Sequence, residues 1–162
     1  MTLSFVTRAM VLTAVTVAGW LYIAEHAGTW GEGEVMEGCE VAEVIDTRTV
    51  RLTCGEADRL VRLEGLGVPD VGEPGCDAEL AHGALGRDRL RVLLEDGPLE
   101  WRRTGEPMEG VPGTPVPVRV TVGDENVADR LVREGLAAEA GGDGAKVNWC
   151  DRLGAPVEVR KD

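Results

Sequence analysis

Four cysteines are the residues whose type and spacing most directly suggest chemistry in this chain of 162 residues. An even number of cysteines favours disulfide bonds in an oxidising compartment, and four allow three pairings, among which spacing does not choose. A zinc site is the alternative, but there is no Cys-x-x-Cys pair, and only His26 and His82 could add ligands. The cysteines are Cys39, Cys54, Cys76 and Cys150. We predict two disulfide bonds and no metal.

Other reactive groups are few. We find no nucleophile–base pair, no glycine-rich phosphate loop and no thiolate motif in the sequence. His82 could act as a general base, but it falls within an amphipathic helical pattern, and we expect it to face solvent. These groups alone do not predict catalysis.

The charge of the chain argues against nucleic acid as a partner. The formal net charge is −12, and the acidic residues are spread along the whole sequence. Because affinity for a phosphate backbone comes from Lys and Arg displacing counterions, such a surface repels it. The chain also has only four Trp, one Tyr and one Phe for stacking on bases. We therefore expect no nucleic-acid partner.

The N-terminal segment predicts a membrane anchor. An apolar run follows Arg8 and carries no charge up to Ala24, which approaches the roughly 20 residues that a helix needs to cross a bilayer. A cleaved signal peptide is the alternative, with a tolerable cleavage site only after Ala18. Glutamates follow the run, so the positive-inside rule places the N-terminus in the cytoplasm. We predict a single-pass anchor of the bacterial inner membrane over residues 1–24, and a Gly- and Glu-rich tether over residues 25–36.

Alternating apolar and polar residues predict the strands of a small domain over residues 37–152. The alternation is clear at 50–54, at 61–64 and, most regularly, at 116–122. Pro117 lies in the last of these segments, and because proline cannot donate to a ladder, it predicts an edge strand or a bulge.

Helical periodicity is confined to two segments. Apolar residues at helical spacing predict one longer helix over Asp77–Glu95 and a short one over Val127–Glu134, with Leu131 facing inward. Residues 141–162 are aperiodic and rich in glycine near their start, so we expect no further helix there, and residues 153–162 are predicted to be a tail.

The order of these segments resembles the bacterial thermonuclease (staphylococcal nuclease-like) family from Cys39 to Cys150. The segments are CEVAEVIDTRTVRLTC at 39–54, VRLEGLGVPD at 61–70, GCDAELAHGALGRDRLRVLLEDGPLEWRRTG at 75–105, VADRLVREGLA at 127–137 and NWC at 148–150. The resemblance implies an α+β, mainly β fold: a five-stranded OB-fold barrel with one longer and one short helix, here preceded by a transmembrane helix. Similarity to the secreted branch of the family also implies the pairs Cys39–Cys54 and Cys76–Cys150.

The resemblance also shows which reactive groups are missing. Family members read V-I-D-G-D-T and R-L-x-G-I-D-A-P-E where carboxylates hold calcium and activate water. The second carboxylate of the first motif falls on Arg48, and the aspartate of the second motif and its neighbour fall on Gly67 and Val68. The water-activating glutamate falls on Asp70, and the first of two transition-state arginines is present as Arg62. The second, from the family's D-R-Y-G-R, falls in a stretch without arginine.

The lost groups imply a domain that has kept a nuclease frame without its activity. We expect Arg62 and Asp70 to be a surface strand residue and a loop residue, and we expect no cofactor and no metal. The predicted function is an accessory subunit that binds and stabilises a membrane protein complex at the periplasmic face. The alternatives are a calcium-dependent phosphodiesterase and an OB-fold binder of a small anion or glycan.

Overall fold

The computed structural model describes residues 33–106, 113–140 and 146–155. The predicted anchor over 1–24 and most of the tether over 25–36 lie outside the described residues. Across the three described ranges, no helix is long and apolar enough to cross a membrane. The folded unit begins at Gly33. Glu34 and Val35, near the end of the predicted tether, pair with a later strand.

The described chain is mainly β, with five strands of five to seven residues. These are β2 (Cys39–Val44), β3 (Thr49–Cys54), β4 (Ala57–Leu63), β6 (Leu99–Arg103) and β7 (Val116–Val122). Four strands of two residues each complete the set: β1 (Glu34–Val35), β5 (Leu66–Gly67), β8 (Glu125–Asn126) and β9 (Ala138–Glu139). The predicted strands at 50–54, 61–64 and 116–122 coincide with β3, the end of β4 and β7.

The main sheet curls on itself. Its strand order is β1-β6-β7-β4-β3-β2, with β8 attached to β7, while β5 and β9 form a separate pair. Strands β1 and β2 lie at opposite ends of this order, yet only Met36, Glu37 and Gly38 separate them in sequence. Three residues span about 10 Å at most, so the two ends of the sheet are close together. Gly38 has a φ of 65°, which lets the chain turn from β1 into β2.

The prediction of an edge or bulge position for Pro117 is wrong. Strand β7 is an inner strand, antiparallel to β6 on one side and parallel to β4 on the other. The carbonyl of Pro117 accepts a hydrogen bond from the N–H of Thr104, just past the end of β6. The backbone N and C=O of one strand residue point to the same side, so the nitrogen of Pro117 also faces β6. It lies at the end of the β6–β7 ladder, where the lack of an N–H removes at most one terminal hydrogen bond.

Three helices accompany the sheet within the described residues. Helix α1 spans Asp77–Glu95, as predicted, and α2 spans Val127–Arg133, one residue shorter than predicted. Helix α2 ends before Gly135, whose φ is 75°. Helix α3 (Trp149–Arg152) was not predicted, because a single turn is too short to show periodicity. Its Asn148 side chain caps it by accepting from the N–H of Asp151.

The core lies between the curled sheet and the inner faces of α1 and α2. Leu131 is fully buried, as its spacing predicts. The most deeply buried large side chains of this core come from four strands and two helices: Val50, Leu52, Val61, Leu63, Leu90, Leu93, Trp101, Val118, Val120, Val127 and Leu131. Fully burying one such apolar side chain contributes about 1.5–3 kcal/mol, so this shared interior holds the sheet against the helices.

Both disulfide bonds are those that the family resemblance implies. Cys39 and Cys54 join the ends of the β2–β3 hairpin across 15 residues of sequence. Cys76 and Cys150 join the start of α1 to α3 across 74 residues. All four cysteines are thus used in disulfides.

A cluster of ion pairs ties α1 to α2. Arg89 donates from Nε and Nη2 to the two carboxylate oxygens of Glu134, both at 2.6 Å. Arg130 also donates to Glu134, at 3.3 Å. The hydrogen bonds from Arg89 are the main cause that lowers the pKa of Glu134 from 4.5 to about 2.

This pKa predicts an acid-sensitive contribution to stability. Because the folded state lowers the pKa, the contribution is present above about pH 4.5 and is lost as the pH falls toward 2. The Glu134 side chain is 30% exposed, so solvent screening limits the contribution to about 1 kcal/mol. We expect Glu134→Gln to lower the free energy of unfolding at pH 6 but not at pH 2, measured by urea denaturation. Glu56→Gln, on the exposed β3–β4 turn, is the control, and an equal effect of Glu134→Gln at both pH values would contradict the prediction.

Candidate functional site

The turn between β2 and β3 is shaped by Asp46. Its Oδ1 accepts hydrogen bonds from the backbone N–H groups of Arg48 and Thr49, both at 2.8 Å. The N–H of Ile45 donates to the carbonyl of Thr49 at 2.9 Å and closes the turn. This local bonding is the ordinary role of aspartate in a turn. One oxygen of Asp46 is therefore already committed to the backbone.

Helix α1 holds this turn in place from behind. Thr47 is fully buried, and its Oγ1 donates to the carbonyl of Gly83 at 3.2 Å. A Cβ on Gly86 would lie 2.6 Å from that same Oγ1. The helix approaches the turn this closely only because glycine leaves room for Thr47, so the positions of Asp46 and Arg48 depend on α1.

Arg48 reaches across to the next segment of the chain. Its Nη1 donates to the carbonyl of Leu66 at 3.1 Å, and the backbone carbonyl of Arg48 accepts from the N–H of Leu63. The side chain is half-buried. A guanidinium fixed at this place puts a positive charge where the family resemblance implies a calcium ligand.

Asp70 organises the loop that faces Arg48. Its Oδ1 accepts from the N–H groups of Gly72 at 2.9 Å and Glu73 at 3.0 Å. The hydrogen bond from Glu73, then that from Gly72, lowers the pKa of Asp70 below its usual value, and the charges of Lys146 and Arg48 act in the same direction. Asp70 is thus a charged residue that shapes its own loop.

Glu79 is a buried carboxylate of the cleft that the sequence analysis missed. This carboxylate is 9% exposed and accepts from the N–H of Asp70 at 3.0 Å and from the N–H of Gly75 at 2.8 Å. It fixes both ends of the loop from the first turn of α1. An acidic residue in a first helical turn is ordinarily explained by the helix dipole, so nothing in the sequence singled it out.

A possible ligand cluster beside this loop is closed by the second disulfide. Ligand atoms of Cys76, Glu79 and Cys150 lie within 4.8 Å of one another. The two sulfurs are bonded to each other, so neither is a thiolate able to bind a metal. The cluster is structural in this oxidised state.

The sequence analysis expected His82 to face solvent, and this expectation is wrong. It is half-buried, with Nε2 2.9 Å from the carbonyl oxygen of Gly135 and its ring 5.3 Å from that of Trp149. Trp149 is buried beneath Arg152, whose guanidinium lies 5.2 Å from the ring centroid. His82 therefore packs α1 against α3, away from the loop of Asp70.

The β2–β3 turn and the 66–73 loop enclose an open cleft of about 720 Å³. Four of the five positions predicted to be degenerate line it: Arg48, Gly67, Val68 and Asp70. Arg62 is exposed on β4 and is not among the lining residues. The structure therefore brings together the positions from the two motifs, with the first arginine left outside.

The chemistry of this cleft is mixed in charge. Arg48 and Lys146 face Asp46, Asp70 and Glu73. Leu66, Val68 and Val147 add apolar surface to the lining. Asp46 and Asp70 each use one oxygen on backbone N–H groups, and both share the cleft with cations. Such a site favours neither a divalent cation, which needs several free oxygens, nor an extended polyanion such as a nucleic-acid backbone.

No known protein family model matches this chain, and no curated protein is significantly similar to it in sequence. The thermonuclease-like relationship therefore remains an interpretation of the motifs.

The position of Arg48 predicts that the cleft does not bind calcium. We expect no heat on titrating the protein with calcium at about millimolar concentration. Arg48→Asp combined with Gly67→Asp adds two carboxylates and should give weak binding without turnover. A Cβ at Gly67 would lie 2.8 Å from Cγ2 of Val147, so that side chain must move in the double variant.

The charge change at residue 48 is controlled separately, with the single variant Arg48→Asp. Arg59→Asp alone, on the exposed face of β4, makes the same charge change as Arg48→Asp outside the cleft. Calcium binding by the unmodified protein, or equal gains from Arg59→Asp and Arg48→Asp, would contradict the prediction.

Proposed function

We propose that the chain is a non-catalytic, membrane-anchored pseudonuclease domain that serves as an accessory subunit of a larger membrane protein complex. The curled sheet corresponds in this proposal to a five-stranded OB-type barrel, formed by β2, β3, β4, β6 and β7. The anchor over 1–24 places the domain on the periplasmic face of the inner membrane. The bound partner is protein, with no nucleic acid and no cofactor.

The observation that carries the proposal is the fixed guanidinium of Arg48. Its hydrogen bond to Leu66 holds a cation beside Asp70 in the cleft. A phosphodiesterase of the family's type needs carboxylates there for its metal and a pair of arginines for the charge that develops on phosphorus. Loss of one such donor costs about 100- to 1,000-fold in rate, and the loss of metal ligands adds to this.

The oxidised fold supports a domain maintained for binding. The Cys76–Cys150 disulfide, which borders Gly75, and the shared core hold the cleft in one arrangement although it lacks the family's reactive groups. Glu79 adds a buried carboxylate whose two hydrogen bonds serve only the loop. These features preserve a shaped surface, which is what a binding subunit needs.

The test is purification of the chain from its native membrane in mild detergent. We expect it to migrate with other membrane proteins, and we expect an anchor swap and removal of residues 1–30 each to weaken this association, because linked weak contacts gain from effective concentration. A plasmid-nicking assay with calcium should show no cleavage. Migration of the intact protein alone, or calcium-dependent nicking, would overturn the proposal.

A second function is favoured by Arg48 and Lys146 in one cleft. In this second proposal the two cations hold a small anion in the cleft. If so, phosphate or citrate should raise the melting temperature of the wild-type protein, by mass action on the folded state, and Lys146→Gln should abolish the rise.

A further inference from the structure

A second opening lies at the place where the curled sheet fails to close. It is a slot of about 430 Å³, open to solvent and lined by residues 35–40 and by Leu99, Glu100 and Trp101. We call it the β2–β6 slot. Strand β1 pairs with β6 at Arg102 and Arg103 only, and β2 pairs with β3. Within the described ranges, the first half of β6 has no strand partner on this side.

Backbone groups of β6 point into the slot. Pro98 accepts from Gly123 and Thr104 donates to Pro117, so the even-numbered residues of β6 turn their backbone groups toward β7. Leu99 and Trp101 turn theirs the other way. The carbonyl of Trp101 accepts from the N–H of Met36 at 2.8 Å at the end of the slot, as this alternation requires. The N–H and C=O of Leu99 therefore form part of an open strand edge.

The slot is held open by the covalent structure. The Cys39–Cys54 disulfide fixes the first residue of β2 to the end of β3. Gly38, with its positive φ, turns the chain away from β6 at this point. Strand β2 is thereby kept from extending the β1–β6 ladder. An open edge that is fixed in advance lowers the entropic cost of binding an added strand.

The side chains of the slot select the chemistry of the added strand. Val35 is 41% exposed and Met36 and Leu99 are half-buried, so the floor is apolar. Glu37 and Glu40 are exposed acidic residues of the lining, whereas Glu100 on β6 is already paired with Arg102. An extended segment with alternating apolar and basic residues would match both, since alternate side chains of a strand point to opposite faces.

We infer that the β2–β6 slot binds an extended, lysine- or arginine-containing segment of the partner protein, which adds as a strand to β6. This inference rests on the proposed function and names the surface that the accessory subunit uses. Strand addition supplies the affinity through backbone hydrogen bonds, and the acidic rim selects a basic sequence.

The probe for this inference is a capped nine-residue peptide of alternating valine and lysine, added to the full-length protein in detergent. We expect the Leu99 amide to exchange about tenfold more slowly with peptide bound, measured by NMR, while the Trp101 amide, which faces Met36, should change less. The same peptide N-methylated at alternate residues keeps its side chains and charge but loses donors on one edge, and should not protect Leu99. A valine–glutamate peptide should not bind. Protection by either control peptide would overturn the inference.

Charge variants test the rim. Glu37→Lys with Glu40→Lys should weaken binding of the valine–lysine peptide about tenfold. Glu56→Lys with Glu64→Lys changes the total charge equally at exposed positions outside the slot, and should leave it within about twofold. Equal losses in both double variants would overturn the inference.

The outcomes also separate this inference from the proposed function. If the wild-type chain co-purifies with a membrane complex and the Glu37/Glu40 variant does so equally, the slot is not the surface used, although the proposed function stands. If the wild-type chain migrates alone, the proposed function fails.

Residues 156–162 read PVEVRKD, with two valines at alternate positions followed by two basic residues. If the peptide binds only after these residues are deleted, the occupant is the chain's own tail and the inference is wrong.

Discussion

Replacing both Cys76 and Cys150 with alanine should lower the free energy of unfolding by about 4 kcal/mol. The bond closes a loop with a sequence separation of 74 residues, and the cost of closing so long a loop in the unfolded chain is what the bond removes. The measurement is urea denaturation of the full-length protein in detergent, followed by near-ultraviolet circular dichroism, which reports on buried Trp101 and Trp149.

The matched control for that variant is Cys39→Ala with Cys54→Ala. This bond spans only 15 residues, so its loss should cost less, about 3 kcal/mol. The two variants should also differ in which part of the chain shows faster amide exchange. Loss of Cys76–Cys150 should speed amide exchange in the Asp70–Gly75 loop, because Glu79 and Cys150 both border Gly75. A larger cost for the short-range bond would contradict the entropic account.

Gly86→Ala should lower the free energy of unfolding by about 2 kcal/mol, even though alanine favours helices by about 1 kcal/mol over glycine. The new Cβ would lie 2.6 Å from Oγ1 and 2.7 Å from Cγ2 of Thr47. Thr47 cannot turn away easily, because it is β-branched, fully buried and bonded to Gly83. Helix α1 must therefore move outward from the β2–β3 turn.

A double-mutant cycle checks this cause. Thr47→Ala alone should destabilise the protein by about 1–2 kcal/mol through its lost hydrogen bond and packing, but the double variant should cost less than the sum of the two. Ala81→Gly, at an exposed position of α1, measures helix propensity without a clash and should cost about 1 kcal/mol. Additive effects at residues 47 and 86 would show that the contact is not the cause.

The parts of this fold that the sequence predicted are those with strong periodicity. Helix α1 has apolar residues at helical spacing over 19 residues, and β7 alternates over seven, so both were found at their observed bounds. Strand β1 and helix α3 were missed because two and four residues carry no measurable period. Their positions come from tertiary partners, β6 for the strand and Cys76 for the helix.

The candidate site was predictable only in its motif positions. Arg48, Gly67, Val68 and Asp70 were placed in one cleft by comparing each motif with a family pattern. Glu79 and Lys146 had no motif to mark them, and they enter the cleft through long-range packing. His82 was assigned to solvent because α1 was considered alone, whereas the chain after α2 covers it. These contacts join segments that are distant in sequence, and the periodicity of a single segment does not reveal them.

The two walls of the cleft differ in when they can form as the chain folds. The β2–β3 turn needs only neighbouring residues, since Asp46 bonds positions two and three residues away. The 66–75 loop needs Glu79 on a completed α1, whose start is bonded to Cys150 near the far end of the domain. Closing such distant contacts is the slow part of folding. A nascent chain that ends before Cys150 can form the β2–β3 turn but lacks the second disulfide, so the cleft is completed only after nearly the whole domain has been synthesised.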